Sequence, residues 1–159
     1  MRENMGLFRG KRIDNGEWVY GYYVAAENYW HKHGIHKEWI VGDALANGGW
    51  FDLCEKHAVI AETVGECTGT KDKNGKLIFE GDIIKTHYAN APKADFVEQV
   101  VFHGGRFCGM YERGKMKMLS TLADGIKHLP QDKSVYMEWC EVIGNIHDNP
   151  ELLKGENNA

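Results

Sequence analysis

Three imidazoles crowd one short stretch of the chain, at His31, His33 and His36. Zinc takes three or four ligands in fixed geometry, and His-x-His on a strand puts both rings on one face. No cysteine or carboxylate accompanies them at a known metal-ligand spacing, and a solvated loop explains them equally well. They stand as the metal candidates of a metal-dependent hydrolase reading. Asp43, Asp52, Asp72, Glu80 and Asp82 could supply acid–base chemistry. Asp72 adjoins a turn signal and Asp82 follows Gly81 at another, where an Asp side chain caps backbone amides. The nucleophile inventory is thin: no G-x-S-x-G occurs, and Ser120 and Ser134 are the only serines. Cys54, Cys67, Cys108 and Cys140 are widely spaced with no C-x-x-C pair, and read as reduced apolar fillers. His103-Gly104-Gly105-Arg106 has two glycines but neither a Walker lysine nor a following helix, so it reads as a hairpin turn.

The aromatic residues carry more. Five Trp and seven Tyr in 159 residues exceed what one small core easily hides. Trp18, Tyr20 and Tyr22 fall on one face of their segment and Tyr23 on the other. Trp30, Trp39 and Trp50 lie in a Gly-, His- and Asn-rich stretch without a clean period. Aromatic rings with a few cations can stack a base and pair its phosphates, or can bury themselves in a core or subunit interface. Trp30, Trp39, Trp50, Arg106 and Phe107 are the candidate ligand-binding residues.

The elements that must position these residues are mostly strands. Phe8 to Ile13 and Trp18 to Val24 flank Asp14-Asn15-Gly16 and read as a hairpin. Trp39 to Val41 and Gly49 to Phe51 suggest two short strands. Asn74-Gly75 marks a hairpin with a two-residue type I′ turn between Thr63–Gly69 and Leu77–Phe79. Glu80-Gly81-Asp82 turns into Ile83 to Lys85, and Phe96–Phe102 pairs with Arg106–Tyr111 around Gly104-Gly105. Gly114 to Lys133 is ambiguous between helix and strand. Val135 to Ile146 reads as late strand bent at Gly144. Asn149, Pro150 and Glu151 have the pattern of a helix start, which predicts a short C-terminal helix through Leu152 and Leu153, ended by Gly155 and followed by a frayed tail, 155–159.

Length and composition set outer bounds. The chain fits a single domain over residues 1–159. No apolar run approaches the ~20 residues of a membrane-spanning helix, and no signal-type segment opens the sequence, so no membrane partner and a cytoplasmic location are expected. The net charge of −4 disfavours a dedicated nucleic-acid binder.

Three segments have a collective resemblance. Thr63-Val64-Gly65-Glu66-Cys67-Thr68-Gly69-Thr70-Lys71-Asp72-Lys73-Asn74-Gly75-Lys76-Leu77-Ile78-Phe79-Glu80-Gly81-Asp82-Ile83-Ile84-Lys85 resembles the signature of the YopX family of bacteriophage and prophage proteins. Val142 to Leu153 is similar to that family's closing segment, and Phe8–Ile13 with Trp18–Gly21 to its opening. The resemblance implies a mainly β fold, namely a small SH3-like barrel with additional hairpins, together with oligomeric assembly. It carries over no catalytic residues. Asn28 to His57 and Tyr111 to Lys133 depart from the family pattern and are where targets would differ.

The resulting expectation is a non-enzymatic, homo-oligomeric phage accessory protein of the bacterial host cytoplasm. It would need no cofactor and would act as a counter-defence protein that sequesters a small nucleotide signal or blocks a host protein. A nucleic-acid-binding small barrel and the His31–His36 hydrolase are the alternatives.

Overall fold

Strands make up almost every element of the computed structural model, which describes residues 6–25, 38–42, 56–88, 95–113, 116–121 and 137–154. They are β1 (Phe8–Lys11), β2 (Trp18–Ala25), β3 (Glu38–Val41), β4 (Lys56–Ala58), β5 (Gly65–Lys71), β6 (Leu77–Phe79), β7 (Asp82–Tyr88), β8 (Asp95–His103), β9 (Arg106–Arg113), β10 (Met116–Thr121) and β11 (Met137–Asn145). The chain divides into two units, Met1–Cys67 and Thr68–Ala159.

In the first unit β1 pairs with β2, β2 with β3 and β3 with β4, all antiparallel, and the start of β5 lies on the other side of β1. The β1–β2 turn closes where Gly16 (φ 73°) donates its N–H to Arg12 O at 3.0 Å. Glycine is required there because the backbone is left-handed. Beyond β4 the chain returns to β1 through a bridge between Arg12 and Val59. Ile60 N–H donates to Lys11 O at 2.9 Å, and Lys11 N–H to Thr63 Oγ at 2.8 Å. Gly10, Gly21, Ile40 and Val59 line one face. Gly21 is so close to β3 that a Cβ there would lie 2.1 Å from Val41 O.

In the second unit the antiparallel order is β10-β9-β8-β7-β11. Ile78, Ile84, Val100 and Cys140 form its core, with Val142 packed against them. The fold is mainly β, as the residue pattern predicts. The described strands form open antiparallel sheets and do not close into the expected SH3-like barrel.

Several local expectations are met with modified geometry. The Asn74-Gly75 segment does turn β5 into β6, but through a three-residue loop and not a two-residue type I′ turn. Asp72 N–H donates to Lys76 O at 2.8 Å, Gly75 N–H to Asp72 O at 3.0 Å, and only then does Gly75 turn left-handed (φ 82°). The cause is Asp72, whose Oδ1 takes the N–H groups of Asn74 (2.8 Å) and Lys76 (2.9 Å) and so rewards the longer loop. The two-residue turn with two left-handed residues occurs at Gly104 (φ 59°) and Gly105 (φ 81°), between the paired residues His103 and Arg106. Residues 116–121 of the ambiguous region are strand β10. The late strand is irregular at the expected place, with its register shifting between Val142 and Gly144.

The short C-terminal helix is not formed. Pro150–Leu153 is a single 3-10 turn, and the Asn149 side chain makes no capping hydrogen bond. Four residues cannot support an α-helical ladder, and the turn packs onto the strand, where Leu152 and Asn149 occupy the space a side chain at Gly144 would need. The expected strand at Gly49 to Phe51 and the frayed tail at 155–159 lie outside the described residues.

Candidate functional site

Strand alternation and cross-strand register sort the first unit's residues between two faces. Lys11 stands opposite Trp18 and Arg9 opposite Tyr20. Tyr22 stands opposite Val41 and Val24 opposite Trp39. Val41 in turn faces Lys56. One face of one sheet therefore carries Arg9, Lys11 and Lys56 with Trp18, Tyr20, Tyr22 and Trp39. Glu38 pairs with Ala25, and Glu66 with Phe8, so both carboxylates belong to the opposite face. On that face Glu38 is engaged by the Tyr23 hydroxyl.

The centre of the cationic face is Trp18. The Arg9 guanidinium carbon lies 4.8 Å from its ring centroid and the Lys11 ammonium 5.5 Å from it. Two like charges can share one ring because its quadrupole attracts both. Arg9 is 5% exposed, whereas Tyr20 directly opposite is 56% exposed. A buried cation thus lies across the strand pair from an accessible ring. Adjacent rows on this face are about 7 Å apart, twice the rise per strand residue, comparable with the separation of a base and its phosphates. Guanidinium and ammonium groups bind phosphate oxygens through charge-assisted hydrogen bonds, and exposed rings stack bases irrespective of sequence. The arrangement suits a ligand that is both anionic and aromatic.

Of the residues singled out from sequence, Trp39 joins this face. Arg106 and Phe107 belong to the second unit. They sit at the start of β9 beside the Gly104-Gly105 turn, with Arg106 exposed and Phe107 meeting Phe102 edge-to-face at 5.1 Å. Trp30, Trp50, His31, His33 and His36 lie outside the described residues. Among the described residues no group of three or more His, Cys, Asp or Glu could hold a metal. Arg9, Lys11 and Lys56 were not legible as site residues by type. They become so through register, because the turn at Asp14-Asn15-Gly16 sets Arg9 and Lys11 against Tyr20 and Trp18.

A second polar assembly lies on one face of the second unit's sheet. His87 stacks on Trp139, 5.3 Å between centroids and 4° between planes. His87 Nδ1 meets Asp95 Oδ1 at 2.9 Å, and Asp95 Oδ2 meets the Lys85 ammonium at 2.9 Å. Lys73 lies 4.2 Å from the Trp139 centroid and 2.6 Å from Glu141. Hydrogen bonds from His87 and Lys85 hold the Asp95 carboxyl below its ordinary range. Lys85 pairs with Asp95 and Lys73 with Glu141, cation against carboxylate, so the assembly acts as a clamp across β8, β7 and β11.

The signature carboxylates have structural partners. Asp72 is 7% exposed and accepts from three backbone N–H groups, the two in its own loop and Val142 at 3.1 Å. Burial pushes its carboxyl up, but the N–H groups of Val142, Lys76 and Asn74, with the Lys76 charge, outweigh burial and hold it below the ordinary range. Lys73 N–H also donates to Cys140 O at 2.9 Å. The hairpin tip therefore occupies the outer edge of β11, an edge that would otherwise present unpaired backbone groups. Asp82, fully buried, accepts the Phe79 N–H at 2.8 Å. Cys67, Cys108 and Cys140 are buried and reduced, in keeping with the filler reading. No helix among the described residues is long and apolar enough to cross a membrane.

No curated protein matches the chain. A crystal structure of protein EF1440 from Enterococcus faecalis is similar at 22% identity and a TM-score of 0.45, over 94% of this chain and 99% of that one. The family model described as YopX protein matches residues 7–154, nearly the whole chain and all three resembling segments. The chain belongs to the YopX family.

Proposed function

We propose that this protein is a non-enzymatic, phage-type accessory protein that binds a small nucleotide on the cationic aromatic face of its first unit, and that it serves to sequester a nucleotide signal of the host. The observation that carries this reading is the segregation of Arg9, Lys11 and Lys56 with four aromatic rings on one face, while Glu38 and Glu66 occupy the other. Sequestration needs affinity and no chemistry, which agrees with carboxylates engaged in holding turns. Self-association would multiply such faces in one particle and belongs to the same proposal.

A thermal-shift screen of the full-length protein against linear and cyclic mono-, di- and oligonucleotides tests it. A ligand that binds only the folded state raises the transition temperature with its concentration. A screen in which no nucleotide moves the transition would sink the reading. The same face also supports nucleic-acid binding, since a row of cations and rings can follow a phosphate backbone. That alternative predicts tighter binding as the oligonucleotide lengthens and a steep loss with salt, whereas a small-ligand site saturates with a mononucleotide or dinucleotide. The net charge of −4 favours the small ligand.

A further inference from the structure

We propose that Asn74 is a site of spontaneous deamidation and that its conversion releases the hairpin tip from the edge of β11. Asn74 is exposed and is followed by Gly75, around which the space a side chain would fill is empty. The backbone nitrogen of Gly75 is therefore sterically open to the neighbouring side-chain carbonyl. After losing its proton to hydroxide, that nitrogen adds to Cγ of Asn74. The Cγ–Nδ2 bond breaks, the side-chain nitrogen takes a proton from water and leaves as ammonia, hydroxide is returned, and a five-membered succinimide remains. Water then opens the ring at one carbonyl or the other, giving aspartate or isoaspartate. No oxidant or reductant takes part.

The fold sets both the rate and the consequence. Gly75 N–H is held by Asp72 O at 3.0 Å, so attack waits for this turn to open, and the native loop is slower than the unfolded chain. The Asn74 amide donates to Glu141 Oε1 at 3.3 Å, while Glu141 is also paired with Lys73 at 2.6 Å. Conversion replaces that donor with a carboxylate, placing two like charges where a hydrogen bond was, with Asp72 two residues upstream. Isoaspartate also lengthens the loop backbone between the N–H groups of Asn74 and Lys76 that Asp72 gathers. Both changes weaken the docking of Lys73 and Asp72 onto Cys140 O and Val142 N–H, exposing the outer edge of β11. The hairpin tip becomes a one-way latch.

The test uses the full-length protein incubated in mildly alkaline buffer, with the same chain in denaturant and the Asn74→Gln variant alongside. Peptide mapping reads conversion at Asn74, and hydrogen exchange reads the amides of Lys73 and Val142. The expected result is conversion in the native protein, slower than in denaturant, absent in Asn74→Gln, with several-fold faster exchange at both amides in the converted fraction. Asn74→Asp should reproduce part of that acceleration without incubation. A native protein whose Asn74 stays intact while the denatured chain converts would overturn the proposal. So would conversion that leaves both amides as protected as before.

Discussion

Replacing Asp72 by alanine should loosen the second unit more than any exposed substitution, by an amount that follows from what its carboxylate holds. Three backbone N–H groups reach it, at 2.8 Å from Asn74, 2.9 Å from Lys76 and 3.1 Å from Val142. A hydrogen bond to a charged group contributes about 1.5–3 kcal/mol. Asn74 and Lys76 lie in an exposed loop where water can replace the carboxylate, so the simple sum overstates the loss. A net cost of about 3 kcal/mol is the consistent figure, on the order of a hundredfold in the opening equilibrium. Asp72→Asn should cost less, because one oxygen can still take the loop amides while its NH2 group faces the Val142 N–H.

The contribution of Asp72 depends on pH. The folded carboxyl is held below its ordinary range, so its stabilisation is fully present above the unfolded value near 3.9 and is lost as pH falls through the folded value. Urea unfolding and hydrogen exchange at Val142, for wild type and Asp72→Ala at neutral and acid pH, are the assays. The two proteins should differ at neutral pH and converge in acid. Equal Val142 protection in both at neutral pH, or a gap that persists below the folded value, would refute the reasoning.

Three further outcomes follow from the packing. Gly21→Ala puts a Cβ 2.1 Å from the Val41 carbonyl oxygen, a backbone atom that cannot move without parting β2 from β3, and should cost about 3 kcal/mol. A transition temperature equal to wild type would contradict it. Burial, with the negative charges of Asp72 and Glu98 nearby, pushes the Cys140 thiol up to about 11. It should resist thiolate-directed alkylation at neutral pH in the native protein and react after unfolding, as read by mass spectrometry. Lys73→Ala removes both the cation over Trp139 and the partner of Glu141, and should raise exchange at the hairpin tip without altering nucleotide binding on the first unit.

The strands were legible because β-branched and aromatic runs alternate with turn residues, and β1, β2, β3, β6, β8 and β9 lie where those runs fall. Turn geometry was less so. Asn-Gly and Gly-Gly both permit left-handed backbone, and Asp72, two residues upstream, decides that the first becomes a three-residue loop. The C-terminal helix failed for a related reason: cap, proline and acid occupy the right positions, but four residues packed on Gly144 settle into a 3-10 turn. The candidate site was half visible. Trp18, Tyr20 and Tyr22 share a face by period alone, whereas Arg9, Lys11 and Lys56 join them only through cross-strand register. His87, one of several scattered histidines in sequence, acquires its place through strands eight and more residues distant, where Asp95 and Trp139 meet it.

The most direct test of the central claim is calorimetric titration of a screened nucleotide into wild type, Trp18→Leu and Lys11→Ala, each first shown to be folded. Stacking on an aromatic ring contributes about 1–3 kcal/mol, so the account predicts saturable binding that weakens roughly ten- to hundredfold in Trp18→Leu. It also predicts weaker, less salt-sensitive binding in Lys11→Ala. Affinity and salt dependence unchanged in both variants would place the ligand elsewhere and contradict the account.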